Sequence, residues 1–241
     1  MNYIENKINF EKKYMKFSLK EMELFSYRNH PYYDVALEGM KYYSKNDIMM
    51  LCLSFFSSLS LEIREKIDYI IASSRIHFLE GNAKGENLLD GNTVYENGKL
   101  VLSIVLRHNL YDLFILVHEL THCVTILNEK RKTFDEQFSL FSELLPLRIE
   151  DELISFLSGE NVPLDDLRKC VKARKLILNN MVCYLASNKD NLVLNVDFEF
   201  RYLVSAICKE RIKVPLVYAL LNFGNIDIKN IVDFSDKGGI L

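Results

Sequence analysis

The stretch that most constrains the fold of this chain is FILVHELTHCVTILN, residues 114 to 128. Within it, His118 and His122 are four positions apart, and Glu119 follows the first histidine directly. On an α-helix, residues four apart lie one turn apart on the same face, so both imidazoles can reach one metal ion. Glu119 then lies beside that ion, where its carboxylate can take a proton from an attacking water. The spacing therefore predicts a helix that carries a zinc site.

The residues that flank this motif are almost all apolar. Leu116 and Val117 precede it, and Cys123 and Val124 follow it. Unpaired polar groups buried in such surroundings cost several kcal/mol, so two histidines and a glutamate need partners there. A bound metal supplies that partner, which favours a metal site over a helix with incidental histidines.

The third protein ligand is expected in DEQFSLFSELLPLRIEDEL, residues 135 to 153. Glu136, Glu143 and Glu150 are seven apart in this segment, hence close to one face of a helix. Glu143 is central and has apolar neighbours, so we predict that it is the third zinc ligand. Glu150 would then orient a ligand histidine from outside the metal shell. Glu136 or Asp135 is the alternative ligand if the turn between the two helices is tighter.

The first half of the chain predicts helices followed by one strand. Residues 1 to 80 have the periodicity of helices, and Ser60 is a candidate N-cap for a helix over 61–73. The glycine- and asparagine-rich segment 81–98 predicts turns and a mobile loop. KLVLSIVL, residues 99–106, is short, rich in β-branched residues and bounded by turn signals, so it predicts a strand.

The second half predicts a series of helices. The zinc-motif helix is expected over about 111–128, and the ligand helix over about 134–157. A further helix should run to about Ser187, residues 198–211 have a helical pattern, and a short helix should end near Phe223. The whole pattern predicts a mainly α protein of the α+β class with a small sheet beside the active-site helix.

Composition argues against binding to nucleic acids or membranes. The net charge is −3, from 30 basic and 33 acidic residues, and no basic patch is dense enough for a nucleic-acid site. The longest apolar runs, such as residues 48 to 56, are too short to span a bilayer, and no signal peptide is evident. We therefore expect a soluble, cytoplasmic protein.

The cysteines indicate the same compartment. They are odd in number and scattered, each within an apolar run, which does not resemble a disulfide framework or a Cys-x-x-Cys metal site. We expect small buried hydrophobic side chains in a reducing environment. The five are Cys52, Cys123, Cys170, Cys183 and Cys208.

Taken in order, these segments resemble the catalytic core of the oligoendopeptidase F and thimet oligopeptidase family, which are gluzincin metallopeptidases. GKLVLSIVLRHNLYDLFILVHELTH is similar to the strand, short loop and aspartate-led helix with the zinc motif. FSELLPLRIEDEL is similar to the ligand helix, in which a second glutamate follows seven residues after the first. LSGENVPLDDLRKCVKARKLI and RYLVSAI resemble the segments beyond it. The resemblance covers roughly residues 50 to 210.

The resemblance implies a fold and a set of roles. Residues 81–241 would form a zincin-like catalytic core, with residues 1–80 as the N-terminal helical part of the same domain. The zinc ligands would be His118, His122 and Glu143, and Glu119 would be the general base. Tyr202 matches a tyrosine that donates a hydrogen bond to the tetrahedral intermediate.

The sequence also departs from the family pattern. Thr121 stands where the family usually has glycine, and NLVLNVDFEF lacks the glycine and histidine of the family's loop before the tyrosine. The chain is also shorter than full-length members, so the helical half that narrows their channel is largely missing. Peptide hydrolysis is therefore expected, but a restriction to oligopeptides is not.

We accordingly predict a zinc-dependent metallopeptidase with one Zn²⁺ per chain and a peptide or protein substrate. The strand over 99–106 would bind the substrate backbone as an added β-strand. One alternative is a regulatory zinc protease with a single protein target, since EQFSLFSELLP is similar to a helix of the small zinc proteases that cleave repressors. The other is a non-catalytic binding module with a structural or lost metal site, against which the intact Glu119 argues.

Overall fold

The computed structural model defines a helical protein with one three-stranded sheet. The residues that it describes are 36–80, 90–96, 99–128, 141–187, 202, 205–206, 208–223, 225 and 227–233. The helices are α1 (Lys45–Leu59), α2 (Leu61–Ser73), α3 (Tyr111–Asn128), α4 (Leu144–Gly159), α5 (Leu164–Ser187) and α6 (Leu216–Asn222). The strands are β1 (Arg75–Glu80), β2 (Gly91–Glu96) and β3 (Lys99–Leu106). Short 3₁₀ turns cover Lys209–Arg211 and Ile228–Asn230. The prediction of a mainly α protein with a small sheet is confirmed.

Helix α3 lies at the centre of the protein. It packs against α1, α2, α4, α6, β2 and β3, and its residues from 111 to 121 are all buried. A helix that is apolar on every side is stable only when other elements cover it all round. The sequence FILVHELTHCV therefore places the two histidines and the glutamate inside the molecule.

Strand β3 is the central strand of the sheet. It pairs in parallel with β1 and antiparallel with β2, so the strand order is β1-β3-β2. Its alternating residues Leu100, Leu102 and Ile104 are buried, as expected for a strand with one face against a helical layer. Thr93 of β2 stands opposite Leu102, and Gly91 stands opposite Ile104. One face of β2 therefore lies over α3.

Several predicted elements are confirmed with their bounds. The strand over 99–106 and the zinc-motif helix over 111–128 form as predicted, and α5 ends at Ser187. Ser60 is the N-cap of α2, where its hydroxyl accepts a hydrogen bond from the backbone N–H of Ile63 at 3.1 Å. Each of these elements has a strong local signal, either a cap or a long apolar period.

The prediction of helix up to residue 80 and of turns over 81–98 is wrong in part. Residues 75–80 form β1, and residues 91–96 form β2 within the segment predicted as a mobile loop. Both strands are short, and they form because β3 offers a hydrogen-bonding partner on each side. Such a tertiary contact overrides weak local patterns, and it cannot be predicted from one segment of the sequence alone.

The ligand helix begins later than predicted. Residues 141–143 form a turn, and α4 starts at Leu144, whereas the prediction began it near residue 134. Pro146 explains this start, because a proline has no N–H to donate to residue 142 and is tolerated only in the first turn. The alternative ligands Asp135 and Glu136 lie outside the described residues, and so does most of the predicted helix over 198–211.

The structure describes four of the five cysteines in enough detail to judge their state. Cys52, Cys123, Cys170 and Cys208 are free and buried. Burial raises the pKa of Cys123 and of Cys208 to about 12, so both thiols stay protonated and act as small apolar side chains. In the described part of the chain, no helix combines the length and the apolar character needed to cross a membrane.

Removal of the α2 cap should destabilise the protein measurably. Ser60→Ala leaves the N–H of Ile63 without its hydroxyl partner, and loss of such a cap costs about 1 kcal/mol. The free energy of unfolding from urea titration should fall by that amount. Ser155→Ala, an exposed serine within α4, is the control and should change it by less than about 0.5 kcal/mol. Equal effects of the two substitutions would contradict the role of Ser60.

Candidate metal centre

Three side-chain atoms from two helices converge on one point. His118 Nε2 lies 3.1 Å from His122 Nε2 and 3.0 Å from Glu143 Oε2, and His122 Nε2 lies 3.5 Å from the same oxygen. Four ligands around a tetrahedral zinc ion, at about 2.0 Å from it, lie about 3.3 Å apart. The two imidazole nitrogens and the carboxylate oxygen thus have the spacing that one zinc ion requires. The structure brings the three predicted ligands together into a group that can hold a metal ion.

The second ring nitrogen of His118 is held by another predicted residue. His118 Nδ1 lies 2.7 Å from Glu150 Oε1, and both side chains are buried. A carboxylate can only accept here, so Nδ1 carries a proton, and Nε2 is the nitrogen that faces His122 and Glu143. Glu150 therefore lies outside the group of three convergent donors, where it holds the orientation of the His118 ring.

The start of α4 explains how Glu143 reaches the histidines. Glu143 is the N-cap residue of α4, but its side chain makes no capping hydrogen bond to its own helix. Phe141, Leu144 and Leu145 are buried around it and hold this turn against the protein interior. Glu150 follows two turns later on the same face. The seven-residue spacing therefore places one carboxylate on each ring nitrogen of His118.

The buried charges of the site favour a divalent cation. Glu119, Glu143 and Glu150 are each at least 93% buried, and Arg174 lies beside Glu150. The carboxyl groups outnumber the one guanidinium in this buried region, and the imidazoles of His118 and His122 lie against two of them. Buried carboxylates need cationic partners, and a divalent ion is a partner that these side chains could hold.

His118 and Glu143 shift each other's pKa strongly. Burial lowers the pKa of His118, but hydrogen bonds to Glu143 and Glu150 outweigh that effect and raise it to about 10. Burial raises the pKa of Glu143, but the charge of His122 and hydrogen bonds from both histidines lower it well below its usual range. A proton on His118 thus stands in for a cation, and metal binding must displace it.

Glu119 is oriented towards the sheet by contacts with β2. Its Oε2 accepts a hydrogen bond from the Thr93 hydroxyl at 2.6 Å. Gly91 lies so close that a Cβ atom there would stand 2.7 Å from Glu119 Cγ and 2.6 Å from Ile115 Cγ2. Strand β2 thus covers the glutamate that the sequence predicts as the general base. Neither contact was predicted, because the sequence pattern of residues 91–96 indicates a loop.

Thr121 stands within the helix where the resembled family usually has glycine, and it is accommodated there without disturbing the helix. Its side chain is fully buried, and its hydroxyl donates to the carbonyl of Val117 at 2.7 Å, one turn earlier. Such a bond satisfies the hydroxyl within its own helix. The departure at this position is therefore compatible with the predicted metal site.

Arg174 of α5 belongs to the site, although the sequence analysis did not identify it. Its Nη2 donates to Glu150 Oε1 and to the hydroxyl oxygen of Tyr202. Tyr202, predicted to be catalytic, is therefore linked to the metal site through Arg174 and Glu150. Cys170 and Ala173 on the same helix are buried. A cation on the apolar face of a helix is the sequence pattern that could have identified Arg174.

Comparison with known proteins adds no relative to this description. The chain matches no protein-family model, no curated protein and no solved structure. The geometry of the described residues therefore carries the functional argument.

The ligand set makes a direct prediction about metal binding. His118→Ala and His122→Ala should each abolish stoichiometric zinc binding, because two remaining ligands hold zinc poorly. Glu143→Gln keeps the shape and removes the charge, so zinc affinity should fall by more than the ~10- to 100-fold typical of an outer partner. Affinity is measured by competition with a chromophoric chelator.

Two glutamates serve as controls for Glu143. Glu160→Gln changes an exposed residue at the end of α4 and should leave zinc affinity unchanged. Glu136→Gln tests the alternative ligand and should also change little. Loss of zinc in Glu136→Gln with retention in Glu143→Gln would move the third ligand one helical repeat earlier.

Gly91 should tolerate no side chain. Its backbone φ is not in the left-handed region, so glycine is needed here because β2 approaches α3 too closely for a side chain. Gly91→Ala should destabilise the protein by ~1–3 kcal/mol, the range for overpacking of a tight contact. Gly159→Ala is the matched control, because nothing lies within 4 Å of a Cβ at that position. Urea unfolding of both variants measures the difference, and an equally stable Gly91→Ala would contradict the close packing.

Proposed function

We propose that the protein is a zinc-dependent metallopeptidase. The observation that carries the proposal is the meeting of His118 Nε2, His122 Nε2 and Glu143 Oε2 within 3.5 Å of one another. Two imidazoles and a carboxylate would supply three protein ligands, the number that catalytic zinc sites have. The order of the motifs supports a zincin-like fold and a kinship with the oligoendopeptidase F family.

The chemistry needs a base next to the ligands, and Glu119 is next to them in sequence. A zinc ion at this site would supply Lewis-acid polarisation of the scissile carbonyl. Glu119 would take a proton from the attacking water and pass it to the leaving amine. The Thr93 hydroxyl occupies one of its two carboxylate oxygens, which fixes the direction of the other.

We expect the substrate to bind at β2. The sequence analysis had placed it at β3. The prediction that residues 99–106 bind the substrate backbone is wrong, because β3 is paired on both sides and its hydrogen-bonding groups are used. In the described part of the sheet, the outer edge of β2 carries no partner strand. A peptide added there would run beside Glu119, since Gly91 and Thr93 contact that side chain.

Tyr202 is proposed as the hydrogen-bond donor to the reacting carbonyl oxygen. Its ring is buried, and burial raises its pKa well above the usual range, so the hydroxyl keeps its proton. Arg174 can only donate, so the hydroxyl oxygen of Tyr202 accepts from it. The proton of Tyr202 then points to another acceptor, as a donor to substrate must.

Substitution of Glu119 separates an enzyme from a binding module. Glu119→Gln keeps the side chain's size, but the amide cannot accept a proton from water. Peptide cleavage should fall by 10²- to 10⁴-fold, the usual loss for a general base. Zinc content should stay at one per chain, because Glu119 is not one of the three convergent donors.

The experiment compares zinc content and cleavage of a peptide library for wild type and variant. Glu62→Gln, an exposed glutamate of α2, is the control and should match wild type in both measurements. Equal cleavage by wild type and Glu119→Gln would exclude Glu119 as the base. Absence of cleavage by the zinc-loaded wild type would favour the non-catalytic module, and cleavage of a single protein only would favour the regulatory protease.

A further inference from the structure

Arg174 connects the metal site to a third helix. Its side chain is 14% exposed, and a single nitrogen, Nη2, contacts both Glu150 Oε1 and the Tyr202 hydroxyl. The same Glu150 oxygen lies 2.7 Å from His118 Nδ1. A continuous line of hydrogen bonds therefore runs from Tyr202 through Arg174 and Glu150 to a predicted zinc ligand.

We propose that Arg174 is a positioning residue that sets the orientation of His118 through Glu150 and at the same time holds the Tyr202 hydroxyl in place. The inference rests on the proposed metal site and extends it to a residue on α5. The hydrogen bonds of Arg174 go to Glu150 and Tyr202, so it acts on the metal site through these neighbours.

The first half of the proposal follows from the partners of Glu150. The structure gives its carboxylate two partners, His118 and Arg174, both on Oε1. A carboxylate that accepts from a guanidinium makes a strong, well-oriented hydrogen bond. Without Arg174 the carboxylate loses the contact that fixes its rotamer, and His118 Nδ1 loses a rigid acceptor. The ring can then turn its Nε2 away from His122 and Glu143.

The second half follows from the geometry of guanidinium. A planar fork presents donors in fixed directions, and Arg174 uses Nη2 for two oxygens and approaches Tyr111 as well. The ammonium of a lysine is a point charge on a flexible stem, and it cannot reproduce these contacts together. Arg174→Lys should therefore keep the charge but loosen either Glu150 or Tyr202.

The test is a double-mutant cycle on zinc affinity. Arg174→Met and Glu150→Gln should each weaken zinc binding by ~10- to 100-fold, the usual effect of an outer partner. The double variant should bind zinc no more weakly than Glu150→Gln alone, because Arg174 acts through Glu150. Arg168→Met, an exposed arginine of the same helix, is the matched control and should bind zinc like wild type.

Cobalt substitution gives a readout that a general loss of stability does not change. The visible absorption of Co²⁺ reports the ligand geometry, so Arg174→Met and Glu150→Gln should shift the spectrum in the same way. Arg168→Met should leave it unchanged. If circular dichroism shows that Arg174→Met does not fold, the same measurements are made on Arg174→Lys and Arg174→Gln.

The outcomes separate this inference from the proposed function. If wild type binds neither zinc nor cobalt, the metal site itself is wrong, and Arg174 has nothing to position. If wild type binds zinc but folded Arg174 variants bind it equally well with an unchanged cobalt spectrum, the inference about Arg174 is overturned and the metal site stands. Additive losses in the double variant would also overturn it, because they would place Arg174 outside the path through Glu150.

Discussion

The hydrogen bond between His118 Nδ1 and Glu150 Oε1 determines what the rest of the site can do. It joins α3 to α4 at 2.7 Å in a region that excludes water. Because one ring nitrogen is committed to Glu150, the other must face His122 and Glu143, and all three donors then meet. Loss of this bond would leave the buried N–H of His118 unpaired, at a cost of about 1–3 kcal/mol. The same hydrogen bond therefore holds α3 against α4 and sets the orientation of His118.

The candidate site places carboxyl groups at a helix contact where apolar side chains would be more stable. Residues 111–121 of α3 are all buried, and a buried helix is most stable with apolar residues throughout. Three buried carboxyl groups at its contact with α4 and β2 oppose that preference, and their cationic partners are Arg174 and a protonated His118. An ion that binds the folded state alone stabilises it by mass action. A divalent metal would therefore contribute to the stability of this protein as well as to its chemistry.

The sequence predicted those parts of the structure whose signals are local. The two histidines four apart predicted both the helix and two of the three side chains that could hold a metal ion. The seven-residue spacing of Glu143 and Glu150 placed one carboxylate on each side of His118. The start of α4 could also have been predicted, since a proline is tolerated only in the first turn of a helix and Pro146 must therefore lie near the start. The contacts of Arg174 and the pairing of β1 and β2 were not predicted, because they join segments far apart in the chain. Periodicity carries no information about which distant segment covers a given face.

Strand β2 links the sheet to Glu119 of α3. Its residues alternate between two faces, so Gly91 and Thr93 both point at the helix, and Asn92 between them is exposed. The absent side chain at 91 lets the strand approach Glu119, and the hydroxyl at 93 then reaches the carboxylate at 2.6 Å. A peptide paired with the outer edge of β2 would therefore lie one strand spacing, about 4.8 Å, from the backbone that orients the base. Placement of the scissile bond and orientation of Glu119 would depend on the same strand, so a displacement of β2 would disturb both together.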